Sequence, residues 1–324
     1  MKTYDVVALG ELLIDFTENG MSAQGNPILE ANPGGAPCNV LAMLQNLDRK
    51  TAFIGKVGDD NFGHTLAETV KEQGVDIKNL LFDKEVHTTL AFVHTAPDGD
   101  RSFSFYRNPG ADMMIRKEDI DESLLADTKL FHFGTLSMTD SEVAGATKFA
   151  VAKAKEAGAI ISFDPNLRPP LWKTLEEAAD ARWWGIGQCN VLKISDDEIE
   201  FLTGEKEIDA GIAKIIEKAK AEGNENLKLV CASMGKDGSK AFYEGRIVIG
   251  KPFPRENTIE TTGAGDTFMA CVLNGVLENG LTDLTDETLT KILTFANAAA
   301  SLITTKKGAL RVMPTKAEVE AEIG

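Results

Sequence analysis

The chain has 324 residues, 43% hydrophobic and 26% charged, which is the make-up of an ordinary globular protein with length enough for a large core. Its 50 acidic residues outnumber 34 basic ones, and the formal charge of −16 repels nucleic acid at long range, so nucleic acid is excluded as an expected partner. No apolar run is long enough to span a bilayer, and the four cysteines (Cys38, Cys189, Cys231, Cys271) form no Cys-x-x-Cys pair that would suggest zinc. Scattered thiols, and an N-terminus that runs into a strand-like segment without an export signal, give the cytoplasm as the expected compartment.

From the N-terminus, Val6-Val7-Ala8-Leu9 reads as a buried strand. Residues 14–32 look β-rich and irregular. A helix is predicted over 37–47, a strand over 51–54, and a helix over 61–73 closed by Gly74. Residues 87–112 are again β-rich: alternation over 88–93 and 102–106 around Pro97-Asp98-Gly99-Asp100 is a hairpin signal. From residue 130 the alternation is regular. Strands are predicted over 130–133, 159–163, 190–193 and 229–231, with helices from about 141 to Gly158, over 175–186, up to about 221, and later over 289–303. Apolar strands flanked by amphipathic helices indicate a mostly parallel sheet covered on both faces, a three-layer α/β sandwich formed by residues 1–324 as one domain. The two β-rich stretches, 14–32 and 87–112, are expected to form a small lid over the substrate, a sheet extension, or a homodimer edge; an exposed apolar flap favours a second copy.

The segment Glu260-Thr261-Thr262-Gly263-Ala264-Gly265-Asp266-Thr267-Phe268 runs into apolar residues at helical spacing (Phe268, Cys271, Val272, Val276). Glycines before a helix let a phosphate approach free backbone N–H groups at the positive helix end. No Gly-Lys-[Ser/Thr] follows, so this is not a P-loop, and Phe268 stands where a dinucleotide fingerprint needs glycine. Asp266 also reads as a plain helix cap.

Thr261-Thr262-Gly263-Ala264-Gly265-Asp266 resembles the C-terminal signature of the ribokinase-like (PfkB) carbohydrate kinases. Pro33-Gly34-Gly35-Ala36-Pro37-Cys38-Asn39-Val40 resembles the N-terminal one, and Val57-Gly58-Asp59-Asp60-Asn61-Phe62-Gly63 an early family segment, all in order along nearly the whole chain. The resemblance implies a ribokinase-like sandwich with a β lid, Asp266 as catalytic base, and Gly263, Ala264 and Gly265 as an anion hole. A helix N-terminus should lower the pKa of Asp266. It further implies that Asp15, Gly34, Gly35 and Asn39 contact the sugar, although Asp15 also reads as a loop residue and the others as a loop and cap. Glu198, in Lys193-Ile194-Ser195-Asp196-Asp197-Glu198, would hold hydrated Mg²⁺ accompanying ATP; Ser195 replaces the family's Asn, and Ser-x-x-Glu is equally a capping box. Lys193, Ser195, Ser233, Gly235, Gly238 and Asn297 would line the nucleotide site, with Lys307-Gly308-Ala309 closing it. Asn297 also reads as an ordinary polar helix residue. Glu260 stands at the family's Asp position for a monovalent cation, leaving K⁺ dependence open.

Asp164-Pro165-Asn166-Leu167-Arg168-Pro169-Pro170-Leu171-Trp172 resembles the fructokinase and 2-keto-3-deoxygluconate kinase branches, with Arg168, and Arg107 from the lid, facing the sugar. The Gly34–Asn39 wording favours fructokinase: transfer of the ATP γ-phosphoryl group to fructose at the 6-hydroxyl. The alternatives are 2-keto-3-deoxygluconate kinase and a non-enzymatic sugar-binding protein of the same fold.

Overall fold

The structure is a computed structural model and describes residues 2–95 and 101–324. In chain order the elements are β1 (Tyr4–Leu9), β2 (Leu13–Met21), β3 (Pro27–Gly34), α1 (Ala36–Gln45), β4 (Thr51–Gly58), α2 (Asn61–Glu72), β5 (Asp76–Asp83), β6 (Leu90–Thr95) and β7 (Arg101–Tyr106). Then come α3 (Glu122–Ala126), β8 (Thr128–Gly134), α4 (Ser141–Glu156), β9 (Ile160–Asp164), α5 (Leu175–Ile186), β10 (Val191–Ser195), α6 (Asp196–Thr203) and α7 (Ile208–Ala221). The last are β11 (Leu229–Ser233), β12 (Ser239–Tyr243), β13 (Arg246–Gly250), α8 (Ala264–Asn279), α9 (Asp286–Ile303) and α10 (Lys316–Ile323).

Nine strands form one sheet in the order β13-β12-β11-β10-β9-β8-β1-β4-β5. The pairings from β5 through β11 are parallel, and β12 and β13 extend the edge antiparallel. Alternation along the strands divides their side chains between two cores. Val6, Ala8 and Phe53 pack with α1, α8 and α9, while Val7, Leu9, Phe131, Phe133 and Phe163 pack with α4, α5 and α7. Each such large side chain contributes about 1.5–3 kcal/mol on burial, so the three layers hold without disulfides. The chain winds outward in both directions from β1, to β4 on one side and β8 on the other. Ligands in such sheets bind beyond the carboxyl ends of the strands at this reversal.

The two β-rich stretches form a separate four-stranded sheet, β3-β2-β6-β7. Strands β2 and β6 are parallel, and the flanking pairs antiparallel. Phe16 stacks on Phe92 at 4.9 Å, and Phe92 meets Tyr106 edge-on at 5.2 Å. The turn expected at Pro97-Asp98-Gly99-Asp100 lies outside the described residues. Sequence periodicity does not reveal β5, where charges interrupt the apolar run, or the short β12–β13 hairpin. That hairpin turns at Glu244 and Gly245, both with positive φ.

Candidate active site

Strand β1 ends at Leu9, and the chain then passes Gly10 and Glu11 before entering the lid through β2. Glu11 is buried and accepts the Ala36 N–H at the start of α1, 2.9 Å away. Gly35 makes this join possible. Its φ is +137°, and a Cβ there would lie 2.4 Å from the Glu11 carbonyl oxygen. Gly34 leaves room for the Asp15 carboxylate, which would lie 2.6 Å from a Cβ. Burial pushes both Glu11 and Asp15 up to about 7.

Helix α8 begins after Gly263, which adopts the left-handed conformation at φ +78°. Asp266 lies in its first turn, buried, and its Oδ2 accepts from Asn39 Nδ2 of α1 at 2.8 Å; Asn166 Nδ2 lies 3.5 Å from Oδ1. The pKa of Asp266 is raised, against the expectation from its place at a helix N-terminus. Burial outweighs the Asn39 hydrogen bond and the nearby Lys193 charge. Behind the turn, Lys193 Nζ lies 3.0 Å from where a Gly265 Cβ would stand, and it pairs with Asp164 at 3.1 Å. Burial works against this ammonium, but Asp164, Glu198 and Asp266 outweigh it and hold Lys193 above its usual range.

Two cavities meet at this turn, and Thr261 and Gly265 line both. The first, of about 380 Å³, is lined by Asp15, Gly35, Asn39, Arg168, Gly263 and Asp266, with Glu260 at its side and Val93 and Phe105 of the lid over it. The second, of about 480 Å³, is lined by Ser233, Gly235, Gly238, Ala264 and Asn297 between apolar walls that include Phe253, Phe268 and Ala300. Asn297 donates to the Lys251 carbonyl at 3.0 Å. Glu260 accepts from Thr262 Oγ1 and, at 3.2 Å, from Gly308 N, tying the turn to the 307–309 segment.

Five expected residues line neither of these two cavities: Gly34 and Lys193, which lie behind the turns already described, and Arg107, Ser195 and Glu198. Arg107 does not line the first cavity. Its guanidinium is buried and bound to Asp112 at 2.7 Å, Thr139 Oγ1 at 2.7 Å and the Leu136 carbonyl at 2.8 Å, so it fastens the base of the lid to the segment after β8. Ser195 caps α6 in a capping box with Glu198, whose other carboxylate oxygen accepts Leu167 N at 2.6 Å. Burial works against the Glu198 charge, yet Lys193 and these N–H donors hold its pKa below the usual value. Sequence reading assigned no role to Glu11, Asn166, Phe253 or Arg255, all of which line a cavity or approach Asp266. The Asp-Pro-Asn turn after β9 was a usable signal for Asn166; nothing local marks Phe253 or Arg255.

A glycine-rich helix start joining a polar cleft to an apolar-walled cavity is the arrangement that phosphoryl transfer between two neighbouring ligands requires. Residues 3–316 match the family described as pfkB family carbohydrate kinase. The chain belongs to that family. It is 41% identical over 319 residues to a probable fructokinase-2 of Arabidopsis thaliana, covering 97% of this chain and 94% of that protein. A fructokinase of Xylella fastidiosa with bound ATP superposes with a TM-score of 0.88 at 30% identity, covering 98% of each chain. A fructokinase double mutant of Vibrio cholerae O395 with fructose, ADP and potassium ion superposes with a TM-score of 0.87 at 28% identity over the whole of both chains.

Proposed function

We propose that this protein transfers the γ-phosphoryl group of ATP to fructose at the 6-hydroxyl, with residues 1–324 acting as one kinase unit and residues 14–32 and 87–112 as its lid. The observation that carries this reading is Asp266, buried beside the turn shared by the two cavities and oriented by Asn39. A sugar hydroxyl in the first cavity gives its proton to Asp266 as its oxygen bonds to the γ-phosphorus and the bond to ADP breaks. The proton then leaves with product or to water. The raised pKa of Asp266 makes it a better proton acceptor than an exposed carboxylate. The turn at Gly263, Ala264 and Gly265 would form the anion hole for the transferring group, with Lys193 behind Gly265 supplying positive charge; the Ala264 N–H also donates to the Thr261 carbonyl at 3.2 Å.

The sugar cleft argues for fructose over 2-keto-3-deoxygluconate. Among the described residues Arg168 is the cation on its wall, set against the carboxyl groups of Glu11, Asp15, Glu260 and Asp266. Such a wall disfavours a carboxylate-bearing sugar. The named relatives point the same way. An intact Asp266 argues against the non-enzymatic reading. ATP would occupy the second cavity, and the metal it carries supplies charge neutralisation between the phosphates. Glu198 fits a water-mediated contact with Mg²⁺ rather than direct coordination, because both its oxygens already accept hydrogen bonds. Glu260, bridging Thr262 and Gly308, is the residue on which K⁺ activation would act. We place the enzyme in the cytoplasm, as a homodimer paired through the lid.

The test is ATP consumption with Mg²⁺ against fructose, 2-keto-3-deoxygluconate, ribose, glucose and adenosine. Fructose is expected to give the highest kcat/KM; preference for the keto-acid would overturn the substrate reading. Asp266→Ala should lower turnover about a thousandfold or more while leaving ATP binding and Tm near wild type.

A further inference from the structure

Arg182 of α5 is fully buried, yet among the described residues only its Nη1 has a hydrogen-bond partner, donating to the Ala178 carbonyl at 2.5 Å. Nε and Nη2 are sealed from solvent without one. A buried cation so poorly satisfied costs stability, and such a group calls for a role beyond the fold. Burial draws its pKa down to about 10, which still leaves it charged at neutral pH, with Glu198 favouring that charge and Arg168 opposing it. Its guanidinium carbon lies over two rings, 5.7 Å from the Trp172 centroid and 5.5 Å from that of Phe201.

Trp172 ends the segment that leaves β9 and lines the sugar cleft. Within it Asn166 holds a left-handed φ of +51° and reaches toward Asp266, and Arg168 faces the cleft. A non-glycine residue in that conformation needs its neighbours to fix it. Upstream, Thr135 donates to the Pro165 carbonyl from N at 3.3 Å and from Oγ1 at 2.5 Å, and Leu167 N donates to Glu198. At the downstream end Trp172 packs against the core beneath α4, α5 and α7 and lies under the Arg182 guanidinium.

We propose that Arg182 is a positioning residue for the sugar: by anchoring Trp172 it holds residues 165–172 in the curve that presents Asn166 and Arg168 to the cleft. This rests on the reading of that cleft as the sugar site.

The experiment compares Arg182→Met, Arg182→Lys and Trp172→Leu with wild type, using the sugar that wild type turns over best. In Arg182→Met the sugar KM should rise about tenfold while the ATP KM changes by less than about twofold. Its Tm should hold or rise, because an unpaired buried cation has been removed. Arg182→Lys keeps the charge but loses the planar stack, so its sugar KM should fall between the two. Hydrogen exchange over 165–172 should quicken about tenfold in Arg182→Met, a readout that stands even if the preferred sugar is not fructose. An unchanged sugar KM, or unchanged protection of 165–172, in folded Arg182→Met overturns the proposal. Should Arg182→Met fail to fold, Trp172→Leu, with a half-buried ring, carries the same two expectations and the same overturning result.

Discussion

Burial of Asp15 sets a cost on the folded state that depends on pH. Its carboxyl is buried and titrates near 7, against 3.8 in the unfolded chain. The folded state therefore binds its proton more tightly, so the stability it contributes is complete below about pH 4 and is lost as pH rises through 7, on the order of 4 kcal/mol in all. Asp15→Asn should accordingly raise Tm relative to wild type at pH 8 and much less at pH 5, while weakening sugar binding; calorimetry at the two pH values reads this. A gain at pH 5 equal to that at pH 8 would refute the buried-charge account. Gly35 has the opposite character. Its φ and the 2.4 Å approach of the Glu11 carbonyl leave no room for a side chain, so Gly35→Ala should destabilise by roughly 2 kcal/mol or more, read by denaturant unfolding.

Among elements, the pairing of α1 with α8 decides where Asp266, the proposed base, points. Asn39 and Asp266 are 227 positions apart and meet because both helices pack on one face of the sheet. Asn39→Leu should preserve that packing yet free Asp266 to rotate, lowering kcat about 10–100-fold with little change in ATP affinity, as steady-state kinetics would show. The helices and strands of the sandwich were legible in the sequence because their periods are strong; α5 runs from Leu175 to Ile186, as its pattern predicts. The turn at Gly263–Asp266 was legible because its backbone demands glycine. Arg107 was misread because a lone arginine beside a lid says nothing about Asp112, Thr139 and Leu136, which take up its donors. The raised pKa of Asp266 was equally out of reach, since a helix start is visible in a motif but depth of burial is not. Arg255, which lines the nucleotide cavity and pairs with Glu322 of α10 at 2.6 Å, depends on a contact across the fold that no local pattern encodes.

For the whole molecule, the lid leaves Met21, Ile28 and Tyr106 exposed at 64%, 44% and 68%. An apolar edge of this kind, on a chain of charge −16, is the surface through which the proposed homodimer would pair. Light scattering should give twice the chain mass, and Ile28→Asp should shift it to the monomer; a wild-type monomer at all concentrations would remove the dimer from the proposal. Phe105 and Val93 reach the sugar cleft from the same sheet, so the monomeric variant should also show a raised sugar KM.

Strand β2 starts in the core at Leu13, carries Asp15 two residues on, and ends at exposed Met21. It runs from the wall of the first cavity to the outer rim, and its register to β3 shifts between Glu18 and Met21. If Asp15 binds the sugar as proposed, any tilt it makes bears on a strand whose other end lies at the molecule's exterior. A fluorophore at position 21 would become a gauge of occupancy, responding to sugar before a single phosphoryl group has moved.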